Sequence, residues 1–242
     1  MASEAHHSIF YEPVNKLWHW SAEAVGLGDQ LGEVEVPDHV VMGLFIIALV
    51  AAIFIPLRSR LSLDKPSKLQ QLLELFVEGF AGLMEDIIGH GAARRFMPMV
   101  GALGVFIFLS NVSGLFFFLQ PPTANTNTTF ALAISAWVFY HLAGVRKQGL
   151  AYFKQFLGPL PALFLLFIPL ELISHFARAL SLGLRLFGNI FGEHSVTNVF
   201  FMIPFIVPFP MMALGLFGAT LQTFVFCMLT IVYIAGAEAS EH

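Results

Sequence analysis

The stretch Glu171–His194, ELISHFARALSLGLRLFGNIFGEH, constrains this chain more than any other. It is apolar enough to lie inside a bilayer, yet it carries Glu171, His175, Arg178, Arg185, Asn189 and Glu193. An α-helix advances about 100° per residue, so with Glu171 at zero the other five fall between about −40° and +40°. One stripe of roughly 80° then holds all of these polar groups against Leu, Phe, Ile, Ala and Gly. At about 1.5 Å per residue the stripe runs roughly 33 Å, close to the thickness of a bilayer's hydrocarbon core. An ionisable group at that depth costs about 2.5–3.5 kcal/mol on insertion scales, so such groups face a protein interior or a water path. A helix face that carries several of them points to ion movement.

The rest of the chain can supply a membrane setting. Of its 242 residues, 57% are hydrophobic and 12% charged, where a soluble domain averages about 25% charged. Long apolar runs and 27 Phe make this a polytopic membrane protein in contact with the lipid bilayer. Cys227 is the one cysteine and lies in an apolar run, so no internal disulfide is possible. CxxC, HExxH and GxxxxGK[ST] patterns are absent. No metal site, no cofactor, no catalytic residue and no nucleic-acid partner is therefore expected. Residues 1–38 lack a continuous apolar core, so no cleavable signal peptide is expected.

Apolar runs place membrane spans at about 39–57, 96–119, 130–145, 162–192 and 199–235, and an amphipathic helix at about 67–88. The fold expected is all-α: about five membrane-embedded helices plus one amphipathic surface helix, the last two long and tilted as a hairpin joined near Glu193–Asn198. Residues 1–38 form an N-terminal outer-side segment, and 39–242 a single membrane domain. Trp18 and Trp20 suit either a membrane interface or a packed surface helix. Ser67 and Gln70 make a capping box for the amphipathic helix, whose Glu74, Glu78, Glu85 and Asp86 argue against a span. The uncharged segment Gln120–Thr129 reads as an outer loop. Arg58, Arg60, Lys65, Lys68, Arg94, Arg95, Arg146, Lys147 and Lys154 cluster on the opposite side. By the positive-inside rule that side is cytoplasmic, which puts the N-terminus outside and the C-terminus inside. Glu171 and His175 then lie toward the cytoplasm, and Glu193 and His194 toward the outside.

Arginine is a fixed positive charge, whereas Glu and His exchange protons. The stripe thus suggests two proton-accessible regions, Glu171 with His175 and Glu193 with His194, separated by Arg185. A proton cannot pass Arg185 directly, so a mobile carboxylate on a partner must carry it between the regions, through a transient pairing with the arginine. Glu171 reads either as a path residue or as a partner for Arg178 at i, i+7, and Arg178 either as a path residue or as a snorkelling one. His175, Asn189 and Gln222 also suit packing and hydrogen bonding between helices. Glu193 and His194 stand about 100° apart, so one of the two faces the path.

These residues carry a likeness. The block Ser181-Leu182-Gly183-Leu184-Arg185-Leu186-Phe187-Gly188-Asn189 resembles the signature of subunit a of the F-type ATP synthase membrane sector, the ATPase subunit 6 family. Asn111 and Gly114-Leu115, then Pro122-Thr123 with Asn127 and Thr129, are similar to that family's second span and outer loop. Leu221-Gln222-Thr223-Phe224 and Leu229-Thr230-Ile231-Val232-Tyr233 resemble its last helix. The likeness covers roughly residues 37–242.

The resemblance implies a proton-translocating stator subunit in a bacterial inner membrane, with no catalytic site of its own. Its implied partners are a c-subunit ring, the peripheral-stalk b subunits and the rest of the F-type ATP synthase. Arg185 would face the ring carboxylate, with Gln222 opposite on the last helix and Ser181 on the same ring-facing side. Glu171 would belong to the inner half-channel. Three positions depart from the pattern. His194 stands where many bacterial members have an outer-channel glutamate, with Glu193 one residue earlier; Gly215 replaces a frequent histidine or acid; Asn125 replaces a frequent aspartate. Two other readings compete: a stand-alone secondary ion transporter, for which inverted repeats are not evident, and a structural scaffold, which has no use for Arg185.

Overall fold

The computed structural model describes residues 8–24, 35–62, 66–116, 118–149, 151–152, 164–201 and 208–239. It is an all-α membrane protein: the described residues form helices and turns and no strand. Lys65, Lys154, Pro204 and residues 162–163 of the fourth expected span lie outside the described residues.

Helix α1 (Tyr11–Ala24) is short and polar, and it is tied to the start of α2 (Asp38–Ser59). Asn15 takes the Val36 N–H at 2.7 Å and gives to the Val36 carbonyl at 3.3 Å. Ser8 donates to Asp38 from both its N–H and its hydroxyl, and Phe10 stacks on Phe45 at 4.5 Å. Tyr11 donates to Glu35 at 2.6 Å, and this bond to a carboxylate holds the phenol above its ordinary range. Trp20 is exposed and Trp18 half-buried.

Helix α3 (Lys68–Ile87) is the amphipathic one. Ser67 caps it by accepting the Gln70 N–H at 3.2 Å. The return half of the expected capping box does not form, because the Gln70 side chain is taken by the Ser62 backbone and by Glu74. Phe80 and Met84 are buried, while Leu72, Leu75 and Phe76 stay exposed.

The membrane body is four helices: α4 (Ala92–Ser113), α5 (Thr126–Gln148), α6 (Phe164–Phe201) and α7 (Pro208–Glu238). These and α2 are the five described helices long and apolar enough to cross a membrane. Contact pairs fix their directions. Arg178 with Tyr233 and Asn189 with Gln222 make α6 and α7 antiparallel. Trp137 with His175 and Phe130 with Gly183 do the same for α5 and α6. Arg95 with Glu238 and Val100 with Cys227 do so for α4 and α7. Gly104 permits this last approach, since a Cβ there would lie 2.9 Å from Cys227 Sγ.

Two corrections concern connections. Glu193–Asn198 do not join two helices; α6 continues through them to Phe201, and the Ser195 hydroxyl is satisfied inside the helix by the Phe191 carbonyl at 2.7 Å. The segment Gln120–Thr129 is not all loop: it holds a 3-10 turn at Pro122–Ala124 and the first turn of α5. Asn125 caps α5 by accepting the Asn127 N–H at 2.9 Å, and buried Thr123 ties the turn to buried Asn111 of α4 at 2.8 Å.

Candidate functional site

Helix α6 is continuous over the whole polar stripe, so Glu171, His175, Arg178, Arg185, Asn189 and Glu193 do share one helix face. What α6 packs against divides that face into three regions.

The central region lies between α6 and α7, in a cleft of about 610 Å³ lined by Arg185, Asn189, Glu193, Gly215, Gly218 and Gln222 among others. Asn189 Nδ2 donates to Gln222 Oε1 at 2.6 Å. Gln222 is buried, and its Nε2 has no partner among the described residues. Arg185 is half-buried and makes no ion pair or hydrogen bond among the described residues. Ser181, Leu184, Gly188 and Asn189 are exposed along the same side of α6. The arrangement is a fixed positive charge beside two amides, open to a partner that brings an anion.

At one end of the cleft, Glu193 leans onto the glycines of α7. Its Oε1 fills the space a Cβ on Gly215 would take, and its Oε2 would lie 3.0 Å from a Cβ on Gly218. His194 turns the other way, with Nδ1 3.3 Å from the Gly114 carbonyl at the end of α4. The structure thus separates two neighbours that the sequence left as alternatives: Glu193 lines the cleft and His194 packs on α4.

The third region is a cluster at the other end of α6. His175 is buried, with Nε2 3.2 Å from Glu171 Oε1 and Nδ1 3.2 Å from the Tyr140 hydroxyl. Trp137 donates to the His175 carbonyl at 3.0 Å. His141 stands beside them, its ring 4.9 Å from that of His175, and its Nδ1 is 2.5 Å from the Tyr152 hydroxyl. Arg178 lies over the Tyr233 ring at 5.7 Å, so packing on α7 engages it rather than a pairing with Glu171. Sequence reasoning singled out neither His141 nor Tyr152. The signal was a histidine inside an apolar span one to two turns from Arg146 and Lys147.

Near this cluster the helix ends are tied together. Glu238 of α7 is buried and meets Arg95 of α4 at 2.7 Å and Lys147 of α5 at 3.4 Å. Gln148 donates to the Ala237 and Ala239 carbonyls at 3.0 and 2.9 Å. Among the described residues no group of three or more His, Cys, Asp or Glu converges as a metal site would require.

Comparison with known proteins places these features in a family. A family model described as ATP synthase A chain matches residues 40–235. A Sulfurihydrogenibium protein, ATP synthase subunit a, is 40% identical over 207 residues, which cover 85% of this chain and 99% of that protein. ATP synthase subunit a 1 of Syntrophotalea carbinolica is 42% identical over 205 residues, or 84% of this chain and 87% of that one. A Nitratiruptor ATP synthase subunit a is 40% identical over 196 residues, or 80% of this chain and 87% of its own length.

Proposed function

The chain belongs to the ATP synthase A chain family, an integral membrane component of the F-type ATP synthase, and from that premise we propose that it carries protons to and from a rotating ring. Arg185 is the separating charge. It faces the carboxylate of a c-subunit ring, flanked by Asn189, Gln222 and Ser181. The end of α4, α5, α6 and α7 that carries Arg95, Lys147 and Glu238 is cytoplasmic, a side that the positive-inside bias of the basic residues supports, in a bacterial inner membrane with the N-terminus outside. The peripheral-stalk b subunits hold the chain against the ring.

Glu193 serves the outer half-channel, since it shares the cleft with Arg185 whereas His194 is engaged by α4. Glu171 and His175 serve the inner one. A proton taken from the Glu193 side neutralises a ring carboxylate, which can then enter the lipid. After nearly a full turn that carboxylate loses its proton toward Glu171 and returns past Arg185. Each charge driven across 100 mV supplies about 2.3 kcal/mol, so several protons must pass for each ATP.

The observation that carries this reading is Arg185, which has no ion pair among the described residues. Arg185 lies roughly 21 Å along the helix from Glu171 and about 12 Å from Glu193. A guanidinium held at that depth without an anion is costly, unless a partner brings one. The test is ATP-driven pumping in membrane vesicles that carry the whole complex. Arg185→Ala should abolish it and add a passive leak when the ring is present. Arg185→Lys should rescue poorly, because an ammonium can lose its proton and lacks the planar fork. Unchanged coupled pumping in Arg185→Ala would overturn the reading.

A further inference from the structure

We propose that the inner half-channel leaves α6 and runs on through His141 of α5 to Tyr152, so that these two side chains carry protons between Glu171–His175 and the inner water phase. The proposal rests on the reading above and extends it to residues outside the stripe.

Three observations carry it. First, exchangeable groups line up across two helices. Glu171 and His175 are 3.2 Å apart, the His175 and His141 rings are 4.9 Å apart, and His141 Nδ1 is 2.5 Å from the Tyr152 hydroxyl. Second, the other nitrogen of His141, Nε2, is buried with no hydrogen-bond partner among the described residues. A buried polar nitrogen left without a partner is destabilising, whereas Phe at 141 and at 152 would fill similar space with no polar atom to bury. Third, Tyr152 is held in place by an absent side chain. Its ring packs on Gly144, where a Cβ would lie 2.7 Å from Tyr152 Cδ2 and 2.9 Å from the Ala237 carbonyl. His141 is also only five and six residues, roughly 8–9 Å of helix, from Arg146 and Lys147 at the basic end.

The chemistry suits these residue types. An imidazole accepts a proton on one nitrogen and releases one from the other, and a phenol hydroxyl both donates and accepts. A proton arriving from Glu171 and His175 binds His141 Nε2. The Nδ1 proton passes to the oxygen of buried Tyr152 as its hydroxyl proton passes to a water entering from the inner side, and a water-relayed shift of the remaining proton from Nε2 to Nδ1 restores the starting tautomer of His141. No net charge stays on either residue.

The experiment uses inverted vesicles carrying the whole complex, with the amount of assembled complex measured for each variant. ATP-driven pumping is recorded first, and then passive proton flux after the soluble sector is stripped. Tyr152→Phe keeps the ring on Gly144 and removes only the hydroxyl; it should lower flux by about tenfold, a modest share of what a positioned proton-transfer group supplies. His141→Ala should fall by about as much, and added imidazole should restore flux where pyrrole, the same shape without a basic nitrogen, does not. Native flux in Tyr152→Phe, or equal rescue by pyrrole, would overturn the path. Should His141→Ala fail to assemble, Tyr152→Phe decides alone. Arg185→Ala, measured alongside, keeps the two readings apart. Lost pumping there with native flux in Tyr152→Phe removes only the path, and retained pumping there removes the gate.

Discussion

At Gly215 a Cβ would meet the Glu193 carboxylate and lie 2.6 Å from Leu115 Cδ2, so the acid on α6 depends on bare backbone on α7. Gly215→Ala should therefore displace the carboxylate and lower ATP-driven pumping by about tenfold, comparable with Glu193→Gln. Because both changes act through one group, the double variant should be no worse than the poorer single one. Additive losses in that cycle would mean that Gly215 acts on something other than Glu193. Gln222→Leu should be milder than either change at Arg185, because it removes an amide and not the charge. At this scale the sequence was informative along a helix and silent across helices. The stripe from Glu171 to Glu193 followed from a 100° advance alone. The different contacts of Glu193 and His194, and the meeting of His141 with His175, depend on how α4, α5 and α7 are set beside α6. No periodicity within one segment carries that register.

The helices meet at their basic ends through Glu238, which is buried against Arg95 and Lys147. Removing one partner of a fully buried pair costs about 3–5 kcal/mol. Arg95 and Lys147 are 45% and 47% exposed here. Water already screens the two cations, which reduces the expected cost of Glu238→Gln to about 1–2 kcal/mol. The variant should lower the temperature at which the detergent-solubilised complex dissociates by a few degrees. High salt should shrink the difference. An unchanged dissociation temperature at low salt would show that Gln148, through the Ala237 and Ala239 carbonyls, holds the ends unaided. The helical class of these elements was legible because apolar runs of about 20 residues have few other fates. Their ends were less so. Ser195 and the cap at Asn125 satisfy polar groups locally, which lets α6 run on and starts α5 earlier than polarity suggested.

Across the whole molecule, the outward side of the α6–α7 pair combines Leu184, Leu214, Phe217 and Leu221, all exposed, with Arg185 at its centre. The apolar residues there suit lipid or another helix equally well, but the arginine suits neither unless an anion arrives with the helix. On the proposed reading, the chain taken by itself is an incomplete conductor, with access at two ends and no carrier between them. This gives its sharpest difference from a stand-alone transporter. Reconstituted alone into liposomes under an imposed potential and pH gradient, the chain should give no proton flux above that of empty liposomes. Adding the c-subunit ring should produce flux that disappears when the ring carboxylate is blocked covalently, and Arg185→Ala should change that flux only when the ring is present. Flux from the isolated chain, insensitive to the ring, would favour the transporter and would turn Arg185 from a gate between half-channels into part of a self-contained binding site.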